Sequence, residues 1–414
     1  MYAFEKPSQR RPNSKVNPEL IKTPAFVAEE HVLRHNLRIL DYVRKRTGCK
    51  MLQALKTWST WSLFPITREY LDGTEASSLN EARLGYDEFN HEVHVYAPAY
   101  SQHEFDVLLE HASTVIFNSF EQWAAFRLQV LEYTQRTGKV IECGLRINPE
   151  HQRISGHGGR WDPCAPGSRL GIRTNEFNRA LATDPNALKG IGGLHFHVFF
   201  DQGLDDLKDV LQLMEQRFAG YIPHMQWINV GGGQTITNDD YDIEGLIMLV
   251  NDFQKRHSVK IHMEPGAAIV KDAGVLVSEV LDVVERNDVP YKIAILDMSF
   301  NAHTPDFLLS PDLYMPVEGA EIVRDLELAK THPYLYQLAG GTCVTGDVLS
   351  HFHSFKKPLK AGDKVVMKDG LQYNVVQCTN FNGVQRPGIW FLQEDGRMVL
   401  LRKFTYKDFK TQMG

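Results

Sequence analysis

The chain has 414 residues, 43% apolar and 23% charged, with a formal net charge of −6. That is globular composition with enough apolar residues for a large core and two or three domains. The acidic balance argues against a nucleic-acid partner, no run approaches the roughly 18 apolar residues of a membrane span, and five scattered cysteines without a Cys-x-x-Cys pair predict a reducing, cytoplasmic setting rather than a disulfide framework.

In chain order, the opening residues are polar and broken by prolines, unlike a secretory signal. TPAFVAEEHVL, from Thr23, then predicts an entry strand running into a first helix, with residues 1–29 joining a β domain. Eight short β-rich runs follow: KMLQALK from Lys50, EASS from Glu75, HVYAP from His94, TVIFN from Thr114, IECGLRIN from Ile141, GLHFHVFF from Gly193, WINVGGG from Trp227 and KIHMEPG from Lys260. The segments between them have helical spacing. From Ser119 the apolar residues Trp123, Phe126, Leu128 and Leu131 predict one stripe, and from Leu204 the residues Leu207, Val210, Leu211 and Met214 predict another. Ser119 with Gln122 reads as a capping box.

Eight strand–helix repeats predict an α/β fold, a closed (β/α)₈ TIM barrel over residues 30–266. An open doubly wound sheet is the alternative, but no Gly-x-Gly-x-x-Gly turn follows any of the strands. Beyond Gly266 the β-rich runs are separated by Asp369-Gly370 and Asp395-Gly396, which suit tight hairpins. Residues 267–414 therefore read as a C-terminal all-β domain of barrel or sandwich type.

Active sites of such barrels gather at the C-terminal ends of the strands. Lys56 ends the first run, where desolvation favours the neutral, nucleophilic amine; a rim lysine in water is the plainer reading. His195 and His197 share one side of the sixth strand. They suit a metal or a stacked ring, although no third ligand is evident and no metal is expected. Gly231, Gly232 and Gly233 after the seventh strand leave bare amides for an anion. Glu264, before Pro265-Gly266, suits the nitrogen of a pyridine ring used as an electron sink. His351 and His353 read as part of a solvated loop. Together, an amine, a phosphate cradle, a ring-facing histidine and a carboxylate are the components of a pyridoxal 5'-phosphate site.

At this point the stretches ALKTWS around Lys56, ASSLNEARLG from Ala76, EVHVYAPAY from Glu92, GLRINPEH from Gly144, APGSRLGI from Ala165, GLHFH from Gly193 and GTCVTGDV from Gly341 resemble the fold-type III, alanine-racemase-like decarboxylases. Within these the chain is similar to the branch acting on carboxynorspermidine or carboxyspermidine. The resemblance implies a homodimer with active sites at the subunit interface and a small polyamine substrate. It implies that Lys56 holds pyridoxal phosphate and that His197 stacks on its ring. Glu264 would contact the ring nitrogen, and Gly231, Gly232, Gly233, Gly266 and Tyr373 would complete the cofactor site. Cys343 would reach the partner's site as a proton donor, and Asp347 would meet the distal ammonium. Arg169 is a candidate for a substrate carboxylate. Ala267 and the run GGTC depart from the commoner pattern of a basic residue after Glu-Pro-Gly and of Gly-Pro-Thr-Cys. Alternatives are another decarboxylase of this fold, for diaminopimelate, ornithine or arginine, an amino-acid racemase, and a cofactor-binding regulatory homologue without catalysis.

Overall fold

The computed structural model describes residues 6–151, 162–309 and 313–414. They form two compact units: Asn36–Ile269 with the N-terminal residues up to Arg10, and Arg11–His35 with Val270–Gly414.

With strands numbered in chain order and β1 (Ala25–Glu29) belonging to the second unit, the first unit contains β2 (Lys50–Ala54), β3 (Gly73–Ala76), β4 (Glu92–Tyr96), β5 (Thr114–Phe117) and β6 (Glu142–Asn148). It continues with a short β7 (Ile172–Arg173), then β8 (Gly193–His195), β9 (Trp227–Asn229) and β10 (Lys260–Met263). All pairings are parallel. β2 to β6 follow one another, β6 meets β8, β8 meets β9 and β10 returns to β2, so eight strands close a barrel while β7 extends β6 at the side. The eight runs expected from the sequence are these eight strands.

Side chains alternate along a strand and ladder partners share a face, so the register tells what fills the barrel. Ala54, Glu75, His94 and Thr114 form one such row. Arg146, His195, Asn229, His262 and Lys50 form another. Glu75, His94, Arg146, His195, Asn229 and His262 are all buried, which makes this interior far more polar than the branched aliphatic layers usual in such barrels. Toward the N-terminal ends of the strands it is plugged by rings. Trp227 lies against Gly193 and Gly144, where a Cβ on either would overlap the indole. It stacks on His262 with centroids 5.1 Å apart, and His94 meets His262 edge-on at 5.5 Å. His94 Nε2 in turn sits 3.0 Å from Glu92, which also pairs with Lys50.

The surrounding helices follow their apolar faces. In Phe120–Thr137 the Ser119 hydroxyl accepts from Gln122 N at 3.1 Å, and Trp123, Phe126, Val130 and Tyr133 are buried. Leu128 and Leu131, expected in the stripe, are instead 62% and 53% exposed. A period of 3.6 counted from Trp123 runs through Val130 and Tyr133, leaving both leucines on the outer flank. In Leu204–Phe218 the expected Leu207, Val210, Leu211 and Met214 are all buried.

The second unit is a mixed sheet with short helical turns and a terminal helix, Tyr406–Met413. Its further strands are β11 (Gly274–Glu285), β12 (Lys292–Leu296), β13 (Ala320–Val323), β14 (Leu335–Ala339), β15 (Val348–Phe355), β16 (Lys364–Lys368), β17 (Gly388–Leu392) and β18 (Met398–Arg402). β1 lies between β11, antiparallel, and β17, parallel. Ile21, Ala25, Val27, Val275, Val277, Val366 and Leu392 form its core.

Two expectations are corrected here. Asp395-Gly396 does turn β17 back onto β18, but Asp369-Gly370 makes no hairpin. β16 pairs with β11, and the Asp369 carboxylate ties the following turn to Lys271 Nζ at 2.7 Å and Asp272 N at 2.9 Å. His351 and His353 are not on a solvated loop. Both are buried on β15, with Nε2 of each facing Met315, one accepting from its N–H at 3.3 Å and the other 3.0 Å from its carbonyl.

The contact of Trp227 with Gly193 is testable. Gly193→Ala should destabilise the first unit by roughly 1–3 kcal/mol through overpacking. In urea unfolding followed by tryptophan emission, a second change, Trp227→Phe, should recover part of that loss; strict additivity of the two would contradict the contact.

Candidate active site

The polar face of the barrel continues past the strand ends, and there most of the expected residues of the first unit gather. Lys56 follows β2 in a turn held from two sides. Leu55 N donates to Glu75 O at 3.0 Å, and Ala54 N donates to Pro265 O at 3.0 Å. Gly266 completes the fit, since a Cβ there would overlap the Thr57 hydroxyl. Lys56 Nζ lies 3.9 Å from Glu75 Oε2, with the lysine side chain 36% exposed and the carboxylate buried. That distance is within ion-pair reach and beyond a hydrogen bond.

Glu264, directly after β10, is the second buried carboxylate. Its Oε1 accepts from Asn229 Nδ2 at 2.7 Å and its Oε2 lies 3.4 Å from His195 Nε2. Burial is the largest influence on its carboxyl and pushes the pKa up. The His195 contact and the positive charge of Lys56 outweigh it and hold the group well below the usual carboxylate range. For the two imidazoles burial prevails: His195 is pushed down, and His197, with Lys56 and Arg146 adding to the burial, is pushed well down. The site therefore presents an ionised carboxylate beside neutral histidines at neutral pH.

The glycine turn binds these groups together. Gly231 and Gly233 have φ of +69° and +84°, and a Cβ on Gly232 or Gly233 would overlap the carbonyl of Glu264 or Phe199. Gly231 N donates to Asn229 Oδ1 at 2.9 Å and Gly232 N to His197 Nδ1 at 3.0 Å. Two of the three amides expected to face a phosphate are thus directed at neighbouring side chains. Because His197 Nδ1 accepts, its ring proton sits on Nε2. Arg146 brings a buried guanidinium, donating to His197 O at 3.1 Å and lying 4.4 Å from the centroid of the Tyr96 ring. A reactive amine, an ionised carboxylate lacking a full complement of donors and a neutral imidazole suit a planar cationic ring such as the pyridinium of pyridoxal phosphate. Among the described residues no group of three or more His, Cys, Asp or Glu is placed to hold a metal ion.

Of the remaining expected residues, one is on a loop of this unit and three belong to the second. Arg169 is exposed on the loop before β7, where its carbonyl accepts from Asn118; only its charge is felt in the site, weakly, at Tyr96. Tyr373, Cys343 and Asp347 belong to the second unit. Tyr373 heads the turn Asn374–Gln377 with φ of +59°. Cys343 is exposed and accepts from Asn382 Nδ2 at 3.0 Å. Asp347 is buried, and its carboxylate already accepts from Asn301 N at 3.0 Å, Thr342 N at 3.2 Å and Thr342 Oγ1 at 2.6 Å. That carboxylate folds the loop carrying Cys343, a different task from the expected open contact with an ammonium.

Sequence reasoning passed over Glu75, Arg146 and Asn229. A signal was available: each is a polar residue inside a strand of a fully covered parallel barrel, where a continuous apolar run is the norm.

Comparison with known proteins bears on the chain as a whole. Residues 86–370 match the family described as pyridoxal-dependent decarboxylase, C-terminal sheet domain. A carboxyaminopropylagmatine decarboxylase of Synechocystis sp. is 36% identical over 401 residues, which is 96% of this chain and 97% of the relative. A carboxynorspermidine/carboxyspermidine decarboxylase of Campylobacter jejuni is 34% identical over 396 residues, 94% of this chain and 98% of the relative. The crystal structure of carboxynorspermidine decarboxylase from Campylobacter jejuni, complexed with norspermidine, matches with a TM-score of 0.82 at 34% identity, covering 95% of this chain and 100% of that one.

Asn229 links Glu264 to the glycine turn, so Asn229→Leu, of similar size, should strand a buried carboxylate oxygen and a buried N–H. The expected loss is roughly 2–4 kcal/mol in urea unfolding. Asn229→Asp, which sets two carboxylates against each other, should lose more at pH 7 than at pH 5. Wild-type stability in both variants would contradict the assigned contacts.

Proposed function

The chain belongs to the pyridoxal-dependent decarboxylases with a C-terminal sheet domain, and from that membership we propose that its substrate is a carboxylated triamine. Carboxynorspermidine, released as norspermidine, and carboxyspermidine, released as spermidine, are the foremost candidates, because the relatives from Campylobacter jejuni and Herminiimonas arsenicoxydans are named for them. Carboxyaminopropylagmatine is a second candidate, favoured by the Synechocystis relative. It differs in ending on a guanidinium.

The observation that carries the reading is the grouping of Lys56, Glu264 and His197 at the C-terminal end of the barrel. Lys56 would hold pyridoxal phosphate through its amine, Glu264, ionised and fixed by Asn229, would favour a protonated ring nitrogen, and His197 would contact the ring. Gly231 to Gly233, Gly266 and Tyr373 are assigned to the cofactor's surroundings on the resemblance. The bound cofactor supplies an electron sink for the pair left by departing CO₂.

The carbon that loses CO₂ needs a proton, and Cys343 Sγ is assigned that delivery; its exposure and the Asn382 contact support it. As the S–H bond breaks, the C–H bond forms, and the thiolate is reprotonated from water. Asp347 acts through this loop, keeping Cys343 in place. We place the enzyme as a homodimer in which Cys343 serves the partner's site, and in the cytoplasm. Five free cysteines support a reducing compartment, and among the described residues no helix is long and apolar enough to cross a membrane.

The test is CO₂ release by the cofactor-loaded protein from carboxynorspermidine, carboxyspermidine, carboxyaminopropylagmatine, diaminopimelate and ornithine, with Lys56→Ala as control. Turnover of one or more of the first three, lost in the control, is expected. Turnover of diaminopimelate or ornithine alone would overturn the substrate assignment. The two triamine substrates differ by one methylene, worth only about 1–3 kcal/mol in a pocket, so a preference between them of roughly 10- to 200-fold is expected.

A further inference from the structure

Glu75 has no part in the reaction as described so far, yet it is a fully buried carboxylate on the inner wall of the barrel, beside the reactive amine. Its two oxygens are unequal. Oε1 accepts from the Ser77 hydroxyl at 3.3 Å, whereas Oε2 is buried, accepts no hydrogen bond and faces Lys56 Nζ at 3.9 Å. Ser77 is itself fixed, its backbone N–H donating to Glu81 Oε2 at 2.7 Å, and Glu81 N is capped by Ser78 Oγ at 3.2 Å. The start of the helix Leu79–Leu84 therefore holds Ser77, Ser77 occupies one oxygen of Glu75, and the other is left to the lysine. A buried carboxylate oxygen without a donor is costly unless a cation answers it, and Lys56 is the cation at ion-pair distance.

We propose that Glu75 is the counter-ion of the Lys56 nitrogen and the acceptor that carries a proton between that nitrogen and the substrate's amine. The proposal rests on the reading of Lys56 as the cofactor-holding residue. A polyamine substrate arrives with its reacting amine as an ammonium, which must lose one proton before its nitrogen can displace Lys56. Glu75 Oε2 takes that proton and gives it to the displaced lysine, ending as the ammonium–carboxylate pair. On product release Lys56 returns the proton to Glu75, which passes it to the departing amine. One proton moves each way and none is gained or lost. Burial, the largest influence, pushes the Glu75 carboxyl up to about 7 against the pull of Lys56, which suits a group that must both accept and release a proton near neutrality.

The test uses the cofactor-loaded protein and reads its visible absorption band during a pH titration. A carboxylate beside the Lys56 nitrogen favours its positive form, by about one unit or more at this separation. In Glu75→Gln the band should be lost at a pH at least one unit lower than in wild type, and Glu75→Asp, shorter by one methylene but charged, should recover part of the shift. Rapid mixing with substrate should show the spectral change at least tenfold slower in Glu75→Gln. Coincident titrations of wild type and Glu75→Gln, both folded by circular dichroism, would overturn the role of Glu75 while leaving the cofactor assignment intact. A wild-type protein with no band dependent on Lys56 would overturn both.

Discussion

Keeping a carboxylate charged inside a protein barrel is the constraint around which the first unit is arranged. Taken from water, Glu264 costs several kcal/mol that one pairing rarely returns. Here the answer is distributed: a hydrogen bond from Asn229, the edge of His195, and the field of Lys56. Asn229 is oriented by the glycine turn through Gly231 N, and His197 by the same turn through Gly232 N. The turn can run there only because three consecutive residues carry no Cβ. Charge, backbone and ring orientation are therefore one problem with one solution, and altering any member exposes the others.

Two carboxylates, Glu75 and Glu264, and two cations, Lys56 and Arg146, face the inside of the C-terminal half, with the histidines between them neutral. That balance explains why the interior tolerates so many polar groups. It also explains why the N-terminal half differs. Trp227, admitted by Gly144 and Gly193, closes the barrel below the charges with stacked rings. Past the strand ends, by contrast, Lys56 keeps 36% of its side chain exposed.

Much of this was legible in the sequence. Eight short runs punctuated by amphipathic segments gave the barrel, because a parallel strand covered on both faces must be apolar and brief. Lys56 and Glu264 stood out because each lies at the end of such a run, where sites of this architecture collect, and His197 because it shares one side of its run with His195. The misses have physical causes. Glu75, Arg146 and Asn229 lie within strands, where register alone reveals that they face inward together. Leu128 and Leu131 are apolar but out of phase with the face that Trp123 begins. Asp369-Gly370 has the turn chemistry of a hairpin, yet such a pair permits a left-handed backbone without choosing what the next strand pairs with. His351 and His353 share one face of β15 with Phe355 and have Phe352 between them, a strand signal hidden by the polarity of the two histidines. Asp347 could be placed only once Asn301 was known to lie beside it.

The proposed chemistry depends on Lys56 being the residue that holds pyridoxal phosphate. Borohydride reduction of the cofactor-loaded protein, followed by peptide mapping by mass spectrometry, tests it directly. The phosphopyridoxyl group is predicted on Lys56 alone. Its recovery on another lysine, or on none, would contradict the site and the chemistry built upon it.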